Sequence, residues 1–220
     1  MTHTGNLTHR RIVFCDFDGT LTAEETLVAV FKIFTPKLFN EMEAKLWSRE
    51  ISLREGVRKL IESIPSSRYP EILDYVSTQP LRPGLEALLD YLDAQAVPFV
   101  VVSGGLRGMV ETKLGKFKAR IHDTYAVDVE TSGPALQAFS DFEGGDELIA
   151  KVTIMEHYRF ETSVAIGDGV TDFNMAKKAD IVFARDHLAH HLKEAGFAFT
   201  PWETFYDIRD ALAARWKKSA

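Results

Sequence analysis

Three short runs of the chain are apolar at nearly every position, and each runs into a knot of small and polar residues. Ile12-Val13-Phe14-Cys15 leads into Asp16-Phe17-Asp18-Gly19-Thr20, and Val97-Pro98-Phe99-Val100-Val101-Val102 into Ser103-Gly104-Gly105. Ser163-Val164-Ala165-Ile166 leads into Gly167-Asp168-Gly169-Val170-Thr171-Asp172. Helical periodicity follows the second and third runs. Continuous apolar runs of this kind are the pattern of strands buried on both faces, as in a parallel sheet. In an open α/β sheet, ligands bind at the C-terminal ends of such strands. Asp16, Asp18, Ser103, Asp168 and Asp172 are therefore expected around one crevice.

Between the first and second runs the texture changes. From about residue 22 to 80 the apolar positions recur at helical spacing, and four short helices are predicted. Leu53, Val57, Leu60, Ile61 and Ile64 fall on one helical face. Ser52, with Glu55 three residues on, has the capping-box pattern, and Pro36, Pro65, Pro70 and Pro80 punctuate helix ends or starts. A helix is predicted to open at Pro83-Gly84, and antiparallel strands are expected within 121–140 around Ser132-Gly133. Helices over about 146–158 and 170–177, a strand over 180–183 and a helix from Trp202 complete the reading. Residues 1–10 are polar and expected to fray.

Asp16 and Asp18 bring chemistry into this pattern. Two carboxylates at the end of a buried strand are costly unless a cation meets them, because burial and like charge both penalise the ionised form. Carboxylate oxygens suit Mg²⁺. A strand with an ordinary polar turn also fits this stretch taken alone, but the other two motifs at the matching edge weigh against it. The 220 residues suffice for one sizeable core, or a core with an inserted cap. A formal net charge of −6 argues against a general nucleic-acid binder. An acidic protein that handles phosphate needs local positive charge from a metal, a lysine or helix N-termini. The single cysteine, Cys15, excludes an internal disulfide and fits a reducing compartment. It alternates away from Asp16 on the strand, a core position and not a nucleophile. No apolar run reaches membrane-spanning length, and the stretch behind Arg10-Arg11 is too short for a secretory signal, so the cytoplasm is the default expectation.

Taken in order, these motifs resemble the haloacid dehalogenase superfamily in its phosphatase branch, along nearly the whole chain. Asp16 to Thr20 looks like its first motif, Ser103 its second, Lys151 its third, and Gly167 to Asp172 its fourth. The resemblance implies a Rossmann-like, doubly wound, mostly parallel α/β core made of residues 1–21 and 81–220, with a helical-bundle cap, residues 22–80, inserted after the first strand. It implies that Asp16 is a nucleophile that becomes an aspartyl-phosphate, and that Asp18 acts first as acid and then as base. Mg²⁺ would be held by Asp16, the backbone carbonyl of Asp18, and Asp168, with Asp172 behind them holding water or Lys151. Thr20, Ser103 and the amides around Gly19 and Gly104 would donate to phosphoryl oxygens, and Lys151 would neutralise developing charge. Read from its neighbours alone, Lys151 also fits a surface lysine sharing a face with Glu147 and Glu156.

The implied partner is a small phosphorylated metabolite, with no nucleic acid or membrane; the oligomeric state is not indicated. Ser52 to Val57, Phe183 to Asp186 and Phe205 to Arg209 resemble the methionine-salvage subfamily that dephosphorylates 2-hydroxy-3-keto-5-methylthiopentenyl-1-phosphate. Phosphoserine phosphatases are the next relatives. Glu25 stands where those enzymes carry a glutamate that meets the substrate amine. Glu55 stands where an arginine is expected to pair with the serine carboxylate, although Arg54 and Arg58 flank it and a one-residue shift restores the pair. Phe31, Phe34, Met42, Leu46 and Trp47 are candidates to line a pocket for a methylthio tail, or simply to pack between helices. The alternatives are another small-metabolite phosphatase, phosphoserine phosphatase included, or a binding module in which phosphorylated Asp16 recruits a partner. The second acid, Asp18, disfavours the module. His187, His190 and His191 read as a solvated helix face and not as a metal cluster.

Overall fold

The computed structural model describes residues 8–217. A seven-stranded sheet runs in the order β4-β3-β2-β1-β5-β6-β7. Its strands are β1 (Thr8–Cys15), β2 (Phe99–Leu106), β3 (Asp123–Glu130), β4 (Gln137–Phe139), β5 (Arg159–Gly167), β6 (Ile181–Ala184) and β7 (Thr200–Pro201). Every neighbouring pair is parallel except β3 and β4. The three apolar runs are thus the three central strands, and their polar ends share one edge.

Helices cover both faces. Ile12 and Phe14 of β1 join Val100 and Val102 of β2 in one core layer, which extends into α1 (Thr26–Phe34), α2 (Pro36–Trp47), α3 (Leu53–Glu62) and α4 (Tyr69–Thr78). Val13 and Cys15 join Val101 in the opposite layer, under α5 (Leu85–Ala94) and α10 (Phe205–Lys217). Each fully buried Ile or Phe in these layers contributes about 1.5–3 kcal/mol. The remaining helices are α6 (Arg107–Leu114), α7 (Lys151–Glu156), α8 (Phe173–Lys178) and α9 (Asp186–Glu194). This is the doubly wound, mostly parallel α/β architecture that the family resemblance implies, built on the parallel strands that the apolar runs predict.

Helices α1 to α4 lie in sequence between β1 and β2. The chain leaves and returns through adjacent segments, bridged at Thr22 and Leu81. The inserted helices are also fastened to the hairpin side of the sheet. Ser66 N donates to Pro134 O (3.1 Å), Leu136 N to Ile64 O (3.0 Å) and Arg54 N to Asp146 O (2.7 Å). Arg58 Nη1 donates to Ala138 O (2.9 Å), and its other nitrogen meets Glu143. The capping box of α3 is present in full: Ser52 Oγ accepts from Glu55 N (3.2 Å), and Glu55 Oε2 accepts from Ser52 N (2.8 Å).

Some boundaries differ from expectation. β1 begins at Thr8, because Thr8 and His9 pair with Arg159 and Phe160 of β5; the rest of the segment expected to fray, residues 1–7, lies outside the described residues. The helix expected over 146–158 is confined to 151–156, since a tight turn at Gly144 and Gly145 exchanges backbone hydrogen bonds with Glu147. β7 is a two-residue strand that no periodicity signals, and α10 starts at Phe205, with buried Trp202 anchoring the approach. No helix among the described residues is long and apolar enough to cross a membrane.

Candidate active site

Asp16 and Asp168 emerge from the C-terminal ends of adjacent central strands, β1 and β5. Asp16 N donates to Ile166 O (2.9 Å), which keeps the two loops in step. Gly19 lets them close: its φ is +80°, and a Cβ there would collide with the Asp168 carboxylate. Lys151, the first residue of α7, is 2% exposed. Its ammonium donates to Asp16 Oδ1 and to Asp172 Oδ1, the latter at 2.6 Å. Asp172 Oδ2 accepts from Asp168 N and Gly169 N, both at 3.0 Å. Thr20 Oγ1 donates to Asp168 Oδ1 at 2.6 Å. Lys151 is therefore a buried member of the site, and its surface reading is excluded.

Three buried carboxylates, those of Asp16, Asp168 and Asp172, bring oxygens within 4.8 Å of one another around this single ammonium. The cluster is thus two positive charges short of neutrality. Burial pushes the Asp16 carboxyl well up, and Asp172 adds to it against the pull of Lys151. Burial and Asp172 likewise raise Asp168 to about 7. Burial opposes the charge on Lys151, but Asp16 and Asp172 outweigh it and hold the ammonium above its ordinary range. The second oxygens of Asp16 and Asp168 accept no hydrogen bond among the described residues. A divalent cation of hard, oxygen-seeking character fits both the missing charge and those oxygens. Both oxygens of Asp172 are already engaged, one by Lys151 and the other by the amides of Asp168 and Gly169.

Asp18 points elsewhere. Its carboxylate accepts from Thr26 N (2.6 Å), Leu27 N (3.0 Å) and the Thr26 hydroxyl, and so caps α1. Burial raises it to about 6, although these donors pull it down. With its side chain turned to α1, Asp18 still lines the cleft but is not one of the acidic trio. The Thr20 hydroxyl is engaged by Asp168, and the Ser103 hydroxyl, fully buried, accepts from Gly105 N (2.9 Å). Neither residue lines the cleft, whereas Gly104 and Gly105 do.

The cleft above this floor has a volume of about 300 Å³. Its walls come from the inserted helices (Glu25, Leu27, Phe31, Leu46, Arg54) and from the loop before α7 (Glu147, Leu148, Ile149). Of the aromatic and apolar candidates, Phe31 and Leu46 reach it. Met42 is buried core, Trp47 is 84% exposed, and Phe34 packs against the core layer. At the third position of α3 the Glu55 carboxylate folds back onto the Ser52 amide, and Arg54 lines the cleft. His190 and His191 lie beside Glu194 on the solvent side of α9, with His187 exposed nearby.

A family model described as haloacid dehalogenase-like hydrolase matches residues 13–177. The chain belongs to that family. It is 45% identical, over 93% of its length and 99% of the relative's, to a protein of Microcystis aeruginosa named 2-hydroxy-3-keto-5-methylthiopentenyl-1-phosphate phosphatase. It is 29% identical to a protein of the same name from Bacillus cereus, over 91% of this chain and 94% of the other. Among solved structures it is similar to a phospho-aspartyl intermediate analogue of phosphoserine phosphatase, with a TM-score of 0.65 at 19% identity, covering 93% and 99% of the two chains. It is also similar to a phosphoserine phosphohydrolase-like protein from Francisella tularensis, with a TM-score of 0.70 at 18% identity over 92% and 99%. The structural likeness agrees with the fold, and the family membership with a phosphatase.

Arg82 is the site-supporting residue that pattern reading missed. It sits where the chain returns from the inserted helices, is 8% exposed, and donates to Gly19 O (2.6 Å) and Thr20 O (3.0 Å). Its own amide donates to Leu21 O (2.8 Å), and its guanidinium lies 5.3 Å from the Trp202 ring centre. The arginine thus clamps the loop that carries Asp18. A lone arginine beside a proline gives no periodic signal of such a role.

Proposed function

We propose that this enzyme is a Mg²⁺-dependent phosphomonoesterase working through an aspartyl-phosphate on Asp16, with 2-hydroxy-3-keto-5-methylthiopentenyl-1-phosphate as its substrate. The observation that carries the reaction is the buried cluster at the cleft floor: Asp16 keeps one oxygen unengaged while Lys151 and Asp172 hold the other side in place. Helices α1 to α4 are read as a cap that supplies the walls, and residues 81–217 with β1 as the core beneath it. Asp16 attacks phosphorus and the bond to the leaving oxygen breaks. Asp18 gives its proton to that oxygen, then takes one from the water that hydrolyses the acyl phosphate and restores Asp16. A carboxyl raised to about 6 suits both roles near neutral pH. Held by Asp16, Asp168 and the Asp18 carbonyl, Mg²⁺ would supply charge neutralisation for the phosphoryl group. Lys151 adds a fixed positive charge beside the reacting oxygen, and the amide of Gly104, a residue lining the cleft, is read as a donor to the phosphoryl group.

The substrate assignment is supported by the relative that is 45% identical along nearly the whole chain and by the apolar wall formed by Leu27, Phe31 and Leu46, suited to a thioether tail. One observation favours phosphoserine instead: Arg54 at the cleft wall could meet a carboxylate. Phosphate release from freshly generated enol phosphate and from phosphoserine, both with Mg²⁺, separates the two. We expect turnover of the first to exceed that of the second, and Asp16→Asn to abolish both while leaving the circular dichroism spectrum unchanged. Inertness of the wild-type protein toward every phosphoester would remove the reading.

A further inference from the structure

The acidity of the cleft exceeds what the phosphoryl chemistry uses. Asp16, Asp168 and Asp172 serve the cation and Lys151, and Asp18 is the acid and base of the reaction. Glu147 has no such task. It lies on the loop four residues before Lys151, where reciprocal backbone hydrogen bonds with Gly144 (3.1 and 3.2 Å) fix its position. It lines the same cleft as Asp16, Asp18 and Lys151, directly before Leu148 and Ile149. Among the described residues its carboxylate accepts no hydrogen bond and forms no ion pair within 4.0 Å, and burial raises it to about 7. A half-buried acceptor without a donor is a costly arrangement that a ligand donor relieves.

We propose that Glu147 is a specificity-determining residue of the phosphatase site, accepting a hydrogen bond from a hydroxyl of the leaving group and repelling leaving groups that carry a carboxylate. This rests on the phosphatase reading above and narrows its substrate class to hydroxylated phosphoesters with an uncharged carbon chain. The charge balance of the cleft points the same way. Beside the four aspartates stand Glu25 and Glu147, against only Lys151 and Arg54, so a divalent cation still leaves the walls negative before a phosphate dianion enters. A second anion on the substrate meets that field at short range. A hydroxyl meets an acceptor that lacks a partner, and sites built to bind a hydroxyl discriminate strongly against analogues lacking one.

The test compares wild type with Glu147→Gln at pH 8 and saturating Mg²⁺ on three probes. These are dihydroxyacetone phosphate, with a hydroxyl and no carboxylate; O-phosphoserine, with a carboxylate; and p-nitrophenyl phosphate, with neither, as the internal reference. Relative to the reference, we expect kcat/KM for dihydroxyacetone phosphate to fall about tenfold in the variant, mainly through KM, and that for phosphoserine to rise several-fold. An equal change on all three probes would show that Glu147 only holds its loop and would overturn the inference alone. No hydrolysis of any probe by the wild-type protein would overturn the phosphatase reading and the inference with it.

Discussion

At the residue scale, the site depends on a few side chains whose partners lie far away in sequence. Arg82 is the clearest case, since it binds two carbonyls of the loop behind Asp18 from inside the protein. Removing a buried charged donor leaves those acceptors unpaired, at about 2–4 kcal/mol. We therefore expect Arg82→Ala to lower the unfolding free energy by that amount in urea titration. It should also cut kcat by about tenfold with little change in KM, since the Asp16–Lys151 pair does not touch the arginine. The four aspartates are legible in the sequence because a carboxylate at the end of a buried run is too costly to stand there without a cation or a donor to meet it. Arg82 is not, because its role exists only once the chain has gone out through the inserted helices and returned. Glu55 and Arg54 are hard to tell apart for a third reason. Which of two neighbours faces the cleft is decided by a cap at the helix start, and that is finer than periodicity resolves.

At the element scale, the central strands and the capping box of α3 follow directly from apolar runs and a Ser-to-Glu spacing, while the short α7 and the two-residue β7 depend on turns and edge pairing. The fastening of the inserted helices to the hairpin is also invisible in the pattern, because it runs through backbone groups of loops. Arg58 is the side chain that reinforces it, reaching Ala138 O at 2.9 Å as well as Glu143. Arg58→Ala should speed amide exchange in α3 and in residues 134–146 together, at a cost of about 1 kcal/mol in overall stability. If only α3 responds, the two segments do not open as one unit.

At the scale of the whole molecule, the cluster of raised carboxyls ties stability to pH in an unusual direction. Asp18, Asp168 and Glu147 are raised to about 6, 7 and 7 from 3.8, 3.8 and 4.5. The folded protein therefore binds more protons than the unfolded chain, and stability falls as pH rises. The favourable contribution is complete below about pH 4 and lost as the pH passes through 6 to 7. Partial exposure screens part of it, so we expect a loss of at least about 1 kcal/mol, read as a fall of roughly 2–4 °C in Tm between pH 5 and 8 in chelator. Millimolar Mg²⁺ should flatten that slope by favouring the ionised acids. A slope unchanged by the ion would argue against cation binding at the trio. Finally, the one thiol of the chain is walled into the layer beneath α5 and α10 with no exposed surface, and burial raises its pKa. Alkylating reagents and peroxide should leave the folded enzyme active, and Cys15 becomes a built-in clock: the rate at which iodoacetamide labels it reports how often the sheet comes apart.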